Sequence, residues 1–199
     1  SDIQQDIGLL TQIASWVETI SPEKDAKLQT LLEKFSNENF QTGKCLIFTQ
    51  YADTAKYLHD NLVAATGRTD IEAVYNSDKS RLSTIGRFAP TANPEFRKRT
   101  SGDELNVLVA TDALSEGLNL QDCNQIINYD LHWNPVRLIQ RFGRIDRIGS
   151  DFESVHGFNF LPESGIEEQL GLREILTQRI KEIHETIGED AAILDPTEQ

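Results

Sequence analysis

Apolar residues recur at helical spacing through the start of the chain, as Ile3, Ile7, Leu10, Ile13, Ala14 and Val17, and predict an amphipathic helix. Ser21 followed by Pro22 announces a second helix, with the serine as N-cap and the proline at the first helical position. Leu28, Leu31, Leu32 and Phe35 give that helix one apolar stripe, so the opening segment reads as a helical hairpin. The pattern then changes. Short continuous apolar runs at 45–49, 71–75, 105–110, 126–129 and 155–161 read as buried strands. Between and after them, 51–65, 80–88, 135–147 and 166–187 carry apolar residues every three to four positions and read as helices. Strands without alternation, separated by helices, predict a parallel sheet sandwiched between helices, an α/β fold.

Three regions follow from this reading: a helical lead-in at 1–40, an α/β lobe at 41–162, and an acidic C-terminal helix and tail at 163–199. The last helix opens on Ser164-Gly165-Ile166-Glu167, a capping box in which serine and glutamate satisfy opposite backbone donors. The stretch 90–104, with Pro90, Asn93, Pro94 and Gly102, shows no periodicity and reads as an exposed insertion. Its Arg97-Lys98-Arg99 cluster is either a solvated charge run or an accessory phosphate contact.

Composition narrows the functional classes. A chain of 199 residues can bury a sizeable core, and no apolar run reaches the roughly 18 residues of a membrane span. With neither a basic start nor an apolar signal core, the expectation is a soluble, cytoplasmic protein without a membrane partner. Cys45 and Cys123 have no second Cys or His at ligand spacing and read as buried thiols, so no metal site is expected. The absence of methionine fits a piece of a longer protein. A net charge of −13 argues against general electrostatic coating of nucleic acid, yet Arg137, Arg141, Arg144 and Arg147 crowd one stretch relieved only by Asp146.

That stretch carries the most chemistry. In 134–147, asparagine then proline starts a helix, and the spacing of Gln140, Arg144 and Arg147 puts them on one helical face. Gly143 falls inside the predicted helix at a cost of about 1 kcal/mol relative to alanine, which implies something packed close to the backbone. Forked, permanently charged guanidinium groups one turn apart suit phosphate oxygens that gather charge during phosphoryl transfer, or pair with carboxylates on a surface helix. The strand at 105–110 runs into Thr111-Asp112-Ala113-Leu114-Ser115-Glu116-Gly117-Leu118-Asn119-Leu120, placing amides and hydroxyls at a strand's carboxyl end, where open α/β folds bind ligands. Thr49 and Gln50 likewise end the first strand and suit a nucleic-acid backbone, while Tyr51 stacks on a base or, the favoured reading, caps the core.

These residues carry a family resemblance. Lys44 to Tyr51 resembles helicase motif IV, Thr111 to Leu120 resembles motif V, and Gln140 to Arg147 has the Gln-x-x-Gly-Arg-x-x-Arg form of motif VI, all in the expected order. The chain is similar to the C-terminal RecA-like lobe of superfamily-two helicases. Ser115-Glu116-Gly117-Leu118-Asn119-Leu120-Gln121 and Arg147-Ile148-Gly149 look most like the Swi/Snf-type branch and its bacterial relatives, as does the lead-in from Ser21 to Leu28. The resemblance implies Arg144 and Arg147 as arginine finger and companion, Gln140 at the γ-phosphate, and Glu116, Gly117 and Asn119 near the nucleotide. It implies Thr49, Gln50, Thr111 and Ser115 toward the nucleic-acid backbone, with DNA expected ahead of RNA. Gly143 departs from the acidic residue of many eukaryotic remodellers, and Asn76-Ser77-Asp78 replaces an expected glycine-bearing turn, which leaves Arg81 and Arg87 without an assigned role.

No Gly-x-x-x-x-Gly-Lys-Ser/Thr loop and no Asp-Glu-x-His box occur, so ATP with Mg2+ is expected to be held mainly by an N-terminal helicase lobe of the same parent chain. Alone, this domain is expected to be catalytically silent. The alternative is a non-catalytic helicase-like lobe that serves as a nucleic-acid or protein binding module. A free-standing mononucleotide enzyme lacks the glycine-rich loop it would need after the first strand.

Overall fold

The computed structural model describes residues 2–17, 19–36, 43–75, 80–112, 118–132, 134–147, 150, 152–161, 171, 174, 175, 177 and 178. The chain divides into two compact units, Ser1–Gln41 and Thr42–Gln199. In the first, α1 spans Asp2–Val17 and α2 spans Ala26–Ser36. The apolar row of α1 is not buried against α2 as a hairpin requires, since Ile3, Ile7, Leu10, Ile13 and Val17 are all exposed. The second helix also starts later than Ser21: Pro22–Lys24 is a single 3-10 turn, and the Leu28 amide donates to Asp25 Oδ1 at 3.0 Å. Asp25 is therefore the N-cap of α2 because its side chain takes up a donor at the open helix end, whereas Ser21 makes no such bond. Leu28, Leu31 and Phe35 are the buried positions of that helix.

The second unit is a five-stranded, all-parallel sheet among the described residues, ordered β2-β3-β1-β4-β5. Its elements are β1 (Cys45–Thr49), α3 (Ala52–Thr66), β2 (Ile71–Val74), α4 (Ser80–Phe88), α5 (Pro94–Lys98), β3 (Val107–Thr111), β4 (Gln125–Asn128), α6 (Pro135–Phe142) and β5 (His156–Asn159). The central strands β1 and β3 are buried at every position, which is why their sequences are continuous apolar runs. From β1 the chain leaves toward β2 and β3, and from β4 it leaves toward β5. The neighbours β1 and β4 thus form the reversal point of the strand order, where the carboxyl ends open a crevice.

Segment 90–104 is built into the fold. It contains α5, and the amides of Thr91 and Ala92 donate to the two carboxylate oxygens of Asp122 at 2.7 and 2.8 Å. Phe96 packs against the core, and Gly86 of α4 lies against the backbone of α5, where a Cβ would stand 2.7 Å from the Phe96 carbonyl carbon. Arg97 donates to the Gly102 carbonyl at 2.9 Å and Lys98 pairs with Glu95 at 2.9 Å, so two members of the basic cluster have local partners. Cys45 and Cys123 are buried thiols. Burial pushes the Cys45 thiol well above its ordinary value and the Cys123 thiol up to about 12. The capping box at 164–167, and most of the helix expected at 166–187, lie outside the described residues.

Candidate functional site

Thr49 and Thr111 end the adjacent strands β1 and β3 in register, and Asn128 ends β4 beside Phe48. Helix α6 packs at this edge and brings the 140–147 segment with it. Its start is set locally: Asn134 Oδ1 accepts from the Val136 amide at 3.0 Å, and Pro135 occupies the first turn, where a missing donor is harmless. Its end is set at Phe142, short of the predicted 147. Gly143 is the C-cap at φ −61° and ψ −1°, so it lies outside the helix and its backbone conformation does not demand glycine. Gln140 therefore stands on the last turn of α6, while Arg144 lies in the turn that follows and Arg147 beyond it, so the three do not share one continuous helix.

The close backbone approach expected at Gly143 is found at Gly157 of β5 instead. A Cβ there would lie 2.2 Å from Phe142 Cζ, whereas at Gly143 the nearest contact would be the Ile139 carbonyl oxygen at 3.3 Å. The absent side chain of Gly157 is what lets the Phe142 ring seat against the sheet.

The organising residue of the edge is Arg141, which is fully buried. It makes a two-pronged bond to Asp112, Nε to Oδ1 at 2.7 Å and Nη2 to Oδ2 at 2.8 Å. Its Nη1 donates to Asn128 Oδ1 at 2.8 Å and to the Asp130 carbonyl at 3.2 Å, and its guanidinium lies 4.9 Å from the centre of the Phe48 ring. Asn128 in turn donates from Nδ2 to Asn159 Oδ1 at 2.8 Å. A guanidinium removed from water needs such a full set of acceptors, and here they come from the loop after β3, from β4 and from the residue group after β4. Nothing in the sequence distinguishes this arginine from its exposed neighbours; only its position inside the 140–147 motif pointed to the region.

The expected site residues fall into distinct environments. Gln140 and Arg147 are exposed, and Arg147 Nε donates to the Gly143 carbonyl at 3.1 Å. Arg144 is half-buried, and its carbonyl accepts from the Leu120 amide at 2.9 Å, which ties the end of the 111–120 segment to the 140–147 segment. Asn119 is half-buried: Oδ1 accepts from the Gln121 amide at 3.2 Å, and its carbonyl accepts from Asn93 Nδ2 at 2.7 Å. Thr111 is nearly buried. Thr49 is fully buried and its hydroxyl donates to Asp130 Oδ2, while the Gln50 amide donates to the same oxygen at 3.2 Å. Tyr51, expected in the core, is 65% exposed at the N-cap of α3. Ser115, Glu116 and Gly117 lie outside the described residues.

His132 borders the same cluster. Its Nδ1 accepts from the Asn134 amide at 2.9 Å, and desolvation, opposed by Asp112 and reinforced by Arg141 and Arg137, lowers its pKa from the ordinary value. Among the described residues no group of three or more His, Cys, Asp or Glu stands at metal-binding distance, and no helix is long and apolar enough to cross a membrane.

A parallel five-stranded sheet with its polar motifs gathered at the carboxyl edge defines a RecA-like α/β lobe. The chain belongs to the helicase conserved C-terminal domain family, whose model matches residues 23–149. It is 32% identical over 85% of its length to the uncharacterized ATP-dependent helicase YqhH of Bacillus subtilis, and covers 30% of that protein. A putative ATP-dependent DNA helicase, fml2 of Schizosaccharomyces pombe, is 31% identical over 63% of the chain, which covers 16% of it. An ATP-dependent RNA helicase, DBP8 of Kluyveromyces lactis, is 26% identical over 82% of the chain, which covers 34% of it. The chain thus spans about a third or less of these relatives. Among solved structures, the C-terminal part of the Fun30 ATPase domain superposes with a TM-score of 0.57 at 17% identity, over 86% of this chain and 54% of that one.

Proposed function

We propose that this domain is the second motor lobe of an ATP-dependent helicase or nucleic-acid translocase, closest to the Swi/Snf-type branch. In this reading Arg144 and Arg147 act as finger and companion on ATP held with Mg2+ by an N-terminal lobe of the same parent chain. Gln140 orders the γ-phosphate region, and Glu116, Gly117 and Asn119 lie near the nucleotide. Gln50 and Ser115 serve the nucleic-acid backbone, with Thr49 and Thr111, whose side chains are buried, holding the strand ends behind them.

The observation that carries this reading is the bond from the Leu120 amide to the Arg144 carbonyl, which ties the segment bearing Asn119 to the segment bearing Arg144. The donor set fits half of a nucleotide site. The 140–147 segment carries exposed Gln140 and Arg147 and half-buried Arg144, side chains whose N–H groups suit anionic oxygens, and the sequence holds no phosphate-binding loop of its own. Bound MgATP supplies the phosphoanhydride whose hydrolysis drives the cycle. The protein's part at this edge is to present permanent positive charge where negative charge accumulates, and this needs no proton transfer.

DNA is the proposed track, on the resemblance of 115–121 and 147–149 to the remodelling branch; relatives named as RNA helicases make RNA a necessary arm of the test. The test is ATP turnover by the full-length protein with single-stranded DNA, duplex DNA or RNA, unaltered and as Arg144→Ala or Arg147→Ala. The expected result is a loss of about a thousandfold or more in turnover with nucleotide binding largely kept. Turnover unchanged in both variants would leave a non-catalytic binding module.

A further inference from the structure

Two groups at the strand tips have no role in the reading above: the Asp130 carboxylate and the buried Arg141 guanidinium. They meet at one residue. The Asp130 side chain accepts from the Thr49 hydroxyl and the Gln50 amide, and its main-chain carbonyl accepts from Arg141 Nη1 at 3.2 Å. Arg141 sits in α6 immediately after Gln140 and is locked from the other side by Asp112. A continuous chain of hydrogen bonds therefore runs from the turn after β1 through Asp130 to α6, across the crevice where the strand order reverses.

We propose that Asp130 and Arg141 are positioning residues that couple the Thr49–Gln50 turn to the segment bearing Gln140, Arg144 and Arg147. This rests on the reading that the turn serves nucleic acid and the segment serves nucleotide. Several features make the connection stiff. Arg141 has no solvent to fall back on, so shifting α6 away from Asp130 or Asp112 strands a buried charge. Asp130 holds two donors from consecutive residues, so the turn moves with it as a unit. At the buried Arg141 end of this network, an arrangement that gives up these acceptors leaves the guanidinium without water to replace them. Nucleic acid that orders the turn would thereby favour one placement of α6, and coupling between two sites is reciprocal.

The experiment uses the full-length protein, with ATP turnover followed as a 30-nucleotide single strand or the matching duplex is titrated in. Asp130→Ala removes the acceptor of Thr49 and Gln50 but keeps the main-chain carbonyl that Arg141 uses. The expected result is turnover without polymer within about twofold of the unaltered protein, and stimulation weakened about tenfold in half-saturating polymer or in maximum. Asp130→Asn keeps an oxygen in place and should restore most of the stimulation; Asp130→Ser, polar but shorter, stands in if the alanine variant does not fold, with the same weakening expected. A merely structural role would lower the melting temperature and leave the stimulation curve in place below melting, and that outcome overturns the proposal. Should the unaltered protein show no polymer-stimulated turnover, the underlying functional reading falls and this one with it. Intact stimulation with an unmoved Asp130→Ala curve overturns only the coupling.

Discussion

Phe142 lies across Gly157 so closely that a Cβ on the glycine would fall 2.2 Å from Cζ and 2.7 Å from Cε1 of the ring. No real carbon contact survives at that separation, so a side chain at 157 must displace the Phe142 ring from its seat against β5. Gly157→Ala is expected to destabilise the protein by about 1–3 kcal/mol through overpacking. Chemical denaturation with an unchanged dependence on denaturant would measure it. The double change Gly157→Ala with Phe142→Leu should recover part of the loss, because the smaller side chain vacates the contested space.

Gly86 tests the seating of the 90–104 segment in the same way, with a harder outcome. Its added Cβ would meet backbone atoms of α5, Phe96 C at 2.7 Å and Arg97 N at 2.8 Å, and no rotamer change relieves a clash with backbone. Gly86→Ala is expected to cost about 2 kcal/mol or more and to raise protease cleavage within 90–104. Unchanged stability and cleavage would show that this segment is not held against α4.

What the sequence made legible and what it hid follow one physical division. Strands buried on both faces are unbroken apolar runs, so β1, β3 and β4 could be read within a residue or two, and the parallel sheet with them. Local capping was harder. Ser21-Pro22 has the right residue types for a helix start, but Asp25 competes for the same role and its carboxylate reaches the Leu28 amide. The 140–147 motif was visible as a pattern, yet its spacing suggested one helix through Arg147, whereas the chain turns after Phe142. Arg141, Asp130 and Gly157 were hidden because their importance lies in partners far along the chain. A buried arginine and an exposed one are the same letter until the fold supplies Asp112, Asn128 and the Phe48 ring.

Removing Arg141 should be among the most damaging single changes in this lobe. Arg141→Met fills a similar length without charge, but leaves the Asp112 carboxylate and the Asn128 and Asp130 carbonyls without their shared donor. The expected loss is about 3–5 kcal/mol, the range for breaking one side of a buried pair. Arg141→Met combined with Asp112→Leu should be less damaging than the single change, since the carboxylate that faced the guanidinium is gone. Additive losses in a thermodynamic cycle would show that the two residues do not act as a pair.

The two thiols should be inert while the protein is folded. Thiolate is the reactive form, and burial drives both groups away from it, Cys123 to about 12. At neutral pH a thiol-specific reagent is expected to label neither Cys45 nor Cys123 until denaturant is added, when both should react. Labelling of the native protein at a rate independent of denaturant would contradict the burial of these side chains.

Acid should weaken the fold in two separable windows. The His132 pKa is lowered, chiefly by desolvation, from an ordinary 6.5, so the unfolded chain takes up this proton first and stability falls as pH drops from that value through the folded one. Asp70 is held below its ordinary 3.8, first by the Arg68 hydrogen bonds at 2.8 Å and also by Asn106, so its contribution is complete above that pH and is lost as pH falls through its lower folded value. The melting temperature should therefore decline gently on acidification below 6.5 and again below 3.8. His132→Gln should flatten the first decline and leave the second, while Asp70→Asn should do the reverse. A first decline that persists unchanged in His132→Gln would assign it to another group, and would remove the basis for reading His132 as a neutral acceptor of the Asn134 amide beside the Arg141 cluster.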